Sequence, residues 1–222
     1  MRNKQILKLA AGFRRFRDRY FLKEGSIYTR LATAQAPKTL IIGCSDSRVD
    51  PAMMTSASPG DVFIVRNVAN LVPPFEPQKS RSRHGVSAAI EFAVENLKVE
   101  NILILGHRQC GGIRALVTGS HNEGSFIGPW VGIAKKAKDK VVAAYPGADV
   151  ETLCRHCEME AIVTSMQNLK TFPFVKAAME TRNLEVLGIY FDLEQGHLWE
   201  YDEVASTFKQ IEIGHKEKNH DF

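Results

Sequence analysis

Leu40-Ile41-Ile42-Gly43 runs directly into Cys44-Ser45-Asp46-Ser47-Arg48, and Asn101-Ile102-Leu103-Ile104-Leu105-Gly106 runs directly into His107-Arg108-Gln109-Cys110-Gly111-Gly112. Each apolar run is short, rich in Leu and Ile and closed by Gly, which reads as a buried strand. Each polar motif therefore begins where a strand ends. Residues 61–66 and 185–191 read as two further strands. Between the second and third strands, Val86, Ala89, Ile90, Ala93, Val94 and Leu97 recur with the helical period, and a crossover helix there makes its flanking strands parallel neighbours. The expected fold is α/β, with a central, mostly parallel β-sheet flanked by helices. More helices are expected over 112–117, 127–144 and 150–169, with residues 197–201 closing the sheet as a hairpin or edge strand.

Outward from this sheet the chain divides simply. Ile6, Leu9, Phe13, Phe16 and Tyr20 recur at helical spacing among Arg14, Arg15, Arg17 and Arg19, so residues 1–30 form an expected helical arm. Periodicity fits packing on its own domain as well as wrapping a neighbouring subunit, and the second is carried as the expectation. Residues 31–213 then form one α/β domain and 214–222 a polar, poorly ordered tail. The 222 residues with 44% hydrophobic content suffice for one full core. A net charge of +4, spread rather than striped, speaks against a nucleic-acid partner. No apolar run reaches the roughly 18 residues of a membrane span, and no secretory signal pattern is seen, so a cytoplasmic location is expected. Four cysteines make no disulfide framework.

Two cysteines and a histidine supply three good zinc ligands, and three protein ligands leave one position for water or substrate, the catalytic pattern. Singly each residue is bland: a lone Cys is most often a small buried hydrophobe and a lone His a hydrogen-bonded core residue. The combination of Cys-x-Asp-x-Arg at one strand end with His-x-x-Cys at another is not bland, because ligands of such sheets gather outside the carboxyl ends of the strands. No Gly-x-Gly-x-x-Gly or Walker loop follows a strand, which disfavours phosphate chemistry. Gly111 and Gly112 let the backbone close in and open a helix whose N-terminal end favours the Cys110 thiolate. Two thiolates neutralise a dication, so the site needs help to hold hydroxide. Asp46, two residues from Cys44 and paired with Arg48, is placed to give it by accepting a hydrogen bond.

These motifs, together with Phe63-Ile64-Val65-Arg66-Asn67-Val68-Ala69-Asn70, Ala89-Ile90-Glu91-Phe92-Ala93-Val94 and Gln35-Ala36-Pro37, resemble the β-class carbonic anhydrases over nearly the whole chain. The resemblance implies a zinc ion held by Cys44, His107 and Cys110, and Asp46 with Arg48 as the catalytic dyad. It implies a substrate pocket lined by Gln35, Phe63, Val68, Phe92 and Gly111, with Gln35 contributed across a dimer interface. The implied reaction is reversible hydration of carbon dioxide to bicarbonate and a proton by hydroxide on zinc, in a homodimer or higher even-numbered homo-oligomer. Regulated bacterial members carry a Trp and a Tyr where Ile41 and Phe191 stand here, although Arg66 is kept. The open subtype is therefore expected, with Asp46 a fourth zinc ligand only in a closed state and not at neutral pH. Phe92 replaces a Tyr of plant-like members. Arg108, bulkier than the small residue expected beside the zinc histidine, is expected to face solvent.

Other features take ordinary readings. Cys154-Arg155-His156-Cys157 lacks a second ligand pair and reads as a mixture of core and surface. His84 before Gly85 reads as scaffolding rather than a proton relay, and residues 135–140 as a solvated lysine face. Carbonyl sulfide or carbon disulfide hydrolysis on the same scaffold is the alternative reaction. A non-catalytic, zinc-stabilised binding protein is the rival of another class; it would use a closed four-ligand site and leave the dyad idle.

Overall fold

A computed structural model describes residues 3–22, 26–77 and 84–212. The expected tail lies outside them, as do residues 1–2 and 23–25 of the expected arm and residues 78–83 and 213 of the expected domain. Six strands form one sheet in the order β2-β1-β3-β4-β5-β6: β1 Thr39–Cys44, β2 Val62–Asn67, β3 Asn101–His107, β4 Glu185–Asp192, β5 His197–Asp202 and β6 Thr207–Gln210. The first four are parallel, while β4, β5 and β6 pair antiparallel. The mostly parallel α/β sheet expected from the apolar runs is therefore present. Each of the first three strands runs one residue past its apolar segment, which draws Cys44, Asn67 and His107 into the ladder.

Register decides where the site forms. β1 lies between β2 and β3, with Cys44 opposite Asn67 and Gly43 opposite Leu105. β3 in turn sets His107 opposite Phe191. The carboxyl ends of β1 and β3 thus sit side by side, and the two polar motifs emerge from one edge of the sheet.

The helices are α1 Lys4–Tyr20, α2 Ile27–Leu31, α3 Pro51–Thr55, α4 Gly85–Glu91, α5 Gly111–Thr118, α6 Ile127–Val131, α7 Lys135–Ala144, α8 Val150–Leu169 and α9 Pro173–Arg182. Two departures from the periodicity have local causes. The single helix expected over 127–144 breaks at Gly132, where a 3₁₀ turn Gly132–Ala134 links α6 to α7. The crossover helix leaves the α pattern at Phe92, where the Leu97 N–H reaches back to the Phe92 carbonyl at 3.0 Å, and it ends at Lys98 with φ 54°. Asp149 caps α8 by accepting from the Thr152 N–H at 2.8 Å.

α8 is the central buried helix. It seats Ile162 and Met166 against two strand glycines: a Cβ on Gly106 would lie 2.6 Å from Ile162 Cδ1, and one on Gly188 would lie 2.8 Å from Ile162 Cγ2. Those two positions tolerate only glycine at this helix-to-sheet spacing. The lysine run is solvated as expected at Lys135 and Lys140, which pair with Asp139 and Glu160. Lys138 departs from it by turning inward to the Leu116 carbonyl at 2.9 Å. In the arm, α1 buries none of its residues, and Phe16, Tyr20, Phe21 and Tyr28 stack on one another.

Candidate metal centre

Cys44 closes β1, His107 closes β3 and Cys110 precedes the first residue of α5. Their exposures are 5%, 1% and 2%. One ligand atom from each lies within 4.8 Å of the other two, and the sulfurs are 3.9 Å apart. Two sulfurs at ~2.3 Å from a tetrahedral zinc ion stand ~3.8 Å apart, so the spacing suits that ion. His107 Nδ1 lies 2.8 Å from the Arg108 carbonyl. If Nδ1 is the donor to that acceptor, the free lone pair belongs to Nε2, which is buried and has no hydrogen-bond partner among the described residues. An orphaned buried nitrogen facing two thiols is what a cation site requires. The hydrogen bond between the two thiols is the main influence lowering the Cys44 thiol, while the same hydrogen bond and burial push Cys110 up. The N–H groups of Gly112 and Ile113 pull the other way on Cys110, as expected where a helix begins.

Asp46 and Arg48 form a bidentate pair. Arg48 donates from Nε to Asp46 Oδ1 at 2.9 Å and from Nη2 to Oδ2 at 2.8 Å, and its backbone N–H adds a third contact at 2.9 Å. This pairing holds the Asp46 carboxyl well below the usual carboxylate range. Arg66 fixes the turn between ligand and dyad, donating to the Cys44 carbonyl at 2.9 Å, the Asp46 carbonyl at 2.6 Å and Asp50 at 2.8 Å. Its guanidinium is engaged as a backbone clamp.

The pocket residues named from sequence do not all converge. Phe63 and Phe92 meet with ring centroids 5.9 Å apart, and Val68 packs against the buried cluster that contains Cys44 and Cys110. Gly111 opens α5 with free space around its Cα, whereas Gly112 is the sterically demanded glycine, a Cβ there falling 2.6 Å from Val68 Cγ1. Gln35 is exposed and lines a depression with Tyr28, Leu31 and Gly60. His84 lies 3.6 Å from Glu76 at the start of α4. Cys154 and Cys157 are both buried in α8, and desolvation pushes the Cys157 thiol up to about 12.

Two residues gained roles that the sequence reading had not given them. Arg108 does not face solvent: its Nε stands 2.7 Å from Glu194 and 4.0 Å from Asp192, because the turn after β4 carries carboxylates to it. Glu158 is 3% exposed; its Oε1 accepts from the Cys110 N–H and its Oε2 from the Tyr190 hydroxyl, both at 2.9 Å. Burial raises the Glu158 pKa, and these two donors oppose the rise. Glu158 shares a helical stripe with Cys154, Ala161 and Ile162, all buried, and a charged residue on an apolar stripe is the signal that marks it. Glu158→Leu strands two buried donors, and a loss of about 1–3 kcal/mol per unsatisfied group is expected. Urea unfolding of the variant beside wild type measures it.

Comparison with known proteins matches residues 39–198 to the family described as Carbonic anhydrase. Beta carbonic anhydrase 3 of Arabidopsis thaliana is 36% identical over 203 residues, covering 89% of this chain and 78% of that protein. The chain is an enzyme of the β-carbonic anhydrase family. A second relative in that family, Beta carbonic anhydrase 5, chloroplastic, of the same plant, is 39% identical over 90% of this chain and 66% of its own length. Among solved β-carbonic anhydrases, CcaA matches with a TM-score of 0.86 at 28% identity, covering 95% of this chain and 93% of that one. CafA of Aspergillus fumigatus gives 0.80 at 28% identity, over 90% and 91%. The family's shared sheet and the buried Cys-His-Cys cluster thus occur together in this chain. No described helix is long and apolar enough to cross a membrane.

Proposed function

We propose that this chain hydrates carbon dioxide reversibly to bicarbonate and a proton, with zinc held by Cys44, His107 and Cys110 and with Asp46 and Arg48 as the catalytic dyad. The observation that carries the reading is the buried triad with its unpartnered His107 Nε2, beside a carboxylate fixed by Arg48. Zinc, when bound, supplies Lewis acidity that lets water ionise near pH ~7. The chain's own groups do the rest. Asp46, ionised and therefore acceptor-only, takes a hydrogen bond from the attacking water and turns its lone pair toward the substrate carbon. Arg48 fixes the carboxylate plane, while Val68 and Gly111, beside the triad, give the nonpolar substrate a wall; Phe63, opposite Leu40, and its neighbour Phe92 stand four residues down the strand pair from Cys44.

The open subtype is supported by the bidentate grip of Arg48 on Asp46, which the carboxylate would have to give up in order to ligate the metal, while a lone pair is left to accept from water. A structure at neutral or higher pH with Asp46 ligating zinc overturns that subtype. An even-numbered homo-oligomer is supported by the exposed apolar residues Ile6, Leu9 and Phe13 of the amphipathic arm and by the exposed Gln35, which would reach a pocket in a partner subunit. Related enzymes from Sordaria macrospora are described as tetrameric. We place the protein in the cytoplasm, with fractionation as the check.

Stopped-flow hydration by the purified, zinc-replete chain from pH ~7 to ~9 tests the reading, and activity already at the neutral end is expected. Hydration absent while carbonyl sulfide is hydrolysed establishes the alternative substrate. Neither activity, with zinc bound, leaves the scaffold role, for which the Asp46–Arg48 pair has no use.

A further inference from the structure

Arg108 and Gln109 fill the two positions between His107 and Cys110, and one carboxylate grips both. Glu194 Oε2 lies 2.7 Å from Arg108 Nε, and Glu194 Oε1 accepts a hydrogen bond from Gln109 Nε2. Glu194 is itself on a built turn. Asp192, 2% exposed, accepts from the Glu194 N–H at 3.0 Å and the Gln195 N–H at 3.3 Å, and its carbonyl accepts from the Gly196 N–H at 2.8 Å.

Gln109 is where that grip matters. Its φ is 56°, the left-handed region that side chains other than glycine's disfavour. In that conformation its carbonyl accepts from Arg48 Nη2 at 3.0 Å, the same nitrogen that holds Asp46 Oδ2. Arg108 needs no such help for its backbone, since its N–H is bonded to the Phe191 carbonyl at 2.9 Å, continuing the β3–β4 ladder. Its carbonyl, the partner of His107 Nδ1, is thereby placed independently of Glu194. Gln109 lies one residue further, beyond the ladder.

We infer that Glu194 is a positioning residue for the reaction: through the Gln109 side chain, with Arg108 as its second anchor, it holds the Gln109 carbonyl on Arg48 and so fixes the plane of Asp46. This rests on the proposed role of the dyad. Arg108 is the partner that keeps Glu194 turned toward the loop, which gives a purpose to a residue larger than the family pattern leads one to expect. Because Glu194 and Gln109 are at the surface, the contacts add little to folding stability and act on orientation.

The test is a double-mutant cycle on the full-length, zinc-loaded chain. Glu194→Ala is expected to lower kcat/KM for hydration roughly fivefold, with zinc content unchanged. Glu194→Gln, which keeps one acceptor, is expected to recover part of the loss. In an Arg48→Gln background, Glu194→Ala is expected to have no further effect, because the path runs through Arg48. Full additivity in that background, or an unchanged kcat/KM in the first, overturns the inference. Crystal structures of wild type and Glu194→Ala supply a readout that does not need turnover: the Gln109 carbonyl is expected to leave Arg48, and its staying in place overturns the inference. Wild type inactive toward carbon dioxide while the carbonyl moves would overturn the proposed reaction and leave the clamp standing.

Discussion

His107→Ala is expected to cost the protein the zinc proposed for it, and with it the proposed hydration of carbon dioxide by about three orders of magnitude or more, equivalent to ~4 kcal/mol in the barrier. The expectation rests on the isolation of the imidazole. His107 is 1% exposed, and its Nδ1 is committed to the Arg108 carbonyl. Its Nε2 makes no hydrogen bond among the described residues and stands within 4.8 Å of both sulfurs, the arrangement a cation would complete. With alanine there, two sulfurs remain 3.9 Å apart, and a two-ligand site neither holds the ion against a chelator nor orients what binds opposite them. Zinc per chain by atomic absorption and stopped-flow hydration check the two losses, and a circular dichroism spectrum checks that the variant is folded. A folded variant retaining full zinc and wild-type turnover would show that His107 is not a ligand.

Most of what builds this site is visible before folding is considered, because the ligands sit at the ends of the strongest local signals. The runs ending at Gly43 and Gly106 are continuous apolar strands, so the positions of Cys44, Asp46, Arg48, His107 and Cys110 follow from strand ends and the parallel rule. What escapes is what depends on distant partners. Glu158 sits in a helix whose polar and apolar residues are mixed around its circumference, and its role is set by Tyr190, thirty-two positions away. Arg108 reads as a solvent-facing side chain until the turn at Asp192 delivers Glu194. α9 starts at Pro173, placed at the first helical position that suits a proline but reads as a break in isolation. β6 spans four residues with one aromatic, Phe208, too short for any period to show. The arm is the reverse case: its period predicts the helix well and leaves its partner open.

Asp46→Asn lowers kcat/KM near pH ~7 by about two orders of magnitude while zinc content stays at the wild-type level. The substitution is nearly isosteric, and Arg48 still finds one oxygen to bond. What is lost is the acceptor-only character: an amide donates from one side, so the water it faces is as readily held in the wrong orientation as the right one. The pH dependence separates this role from that of a titrating base. Arg48 holds Asp46 well below the usual carboxylate range, so the carboxylate is fully ionised throughout the neutral range and its titration shapes no part of the activity profile there. Wild type and variant are therefore expected to show the same midpoint at different heights. Stability gives an independent reading with a definite sign. A folded-state pKa below the unfolded one contributes stability that is present above pH ~4 and is lost as pH falls toward the folded value. Urea unfolding is expected to find wild type ahead of Asp46→Asn by a constant margin from pH ~5 upward and the gap narrowing below pH ~4. A midpoint shift in the activity profile would instead make Asp46 the group whose protonation limits the reaction, and the positional role assigned to it through Arg48 would fail.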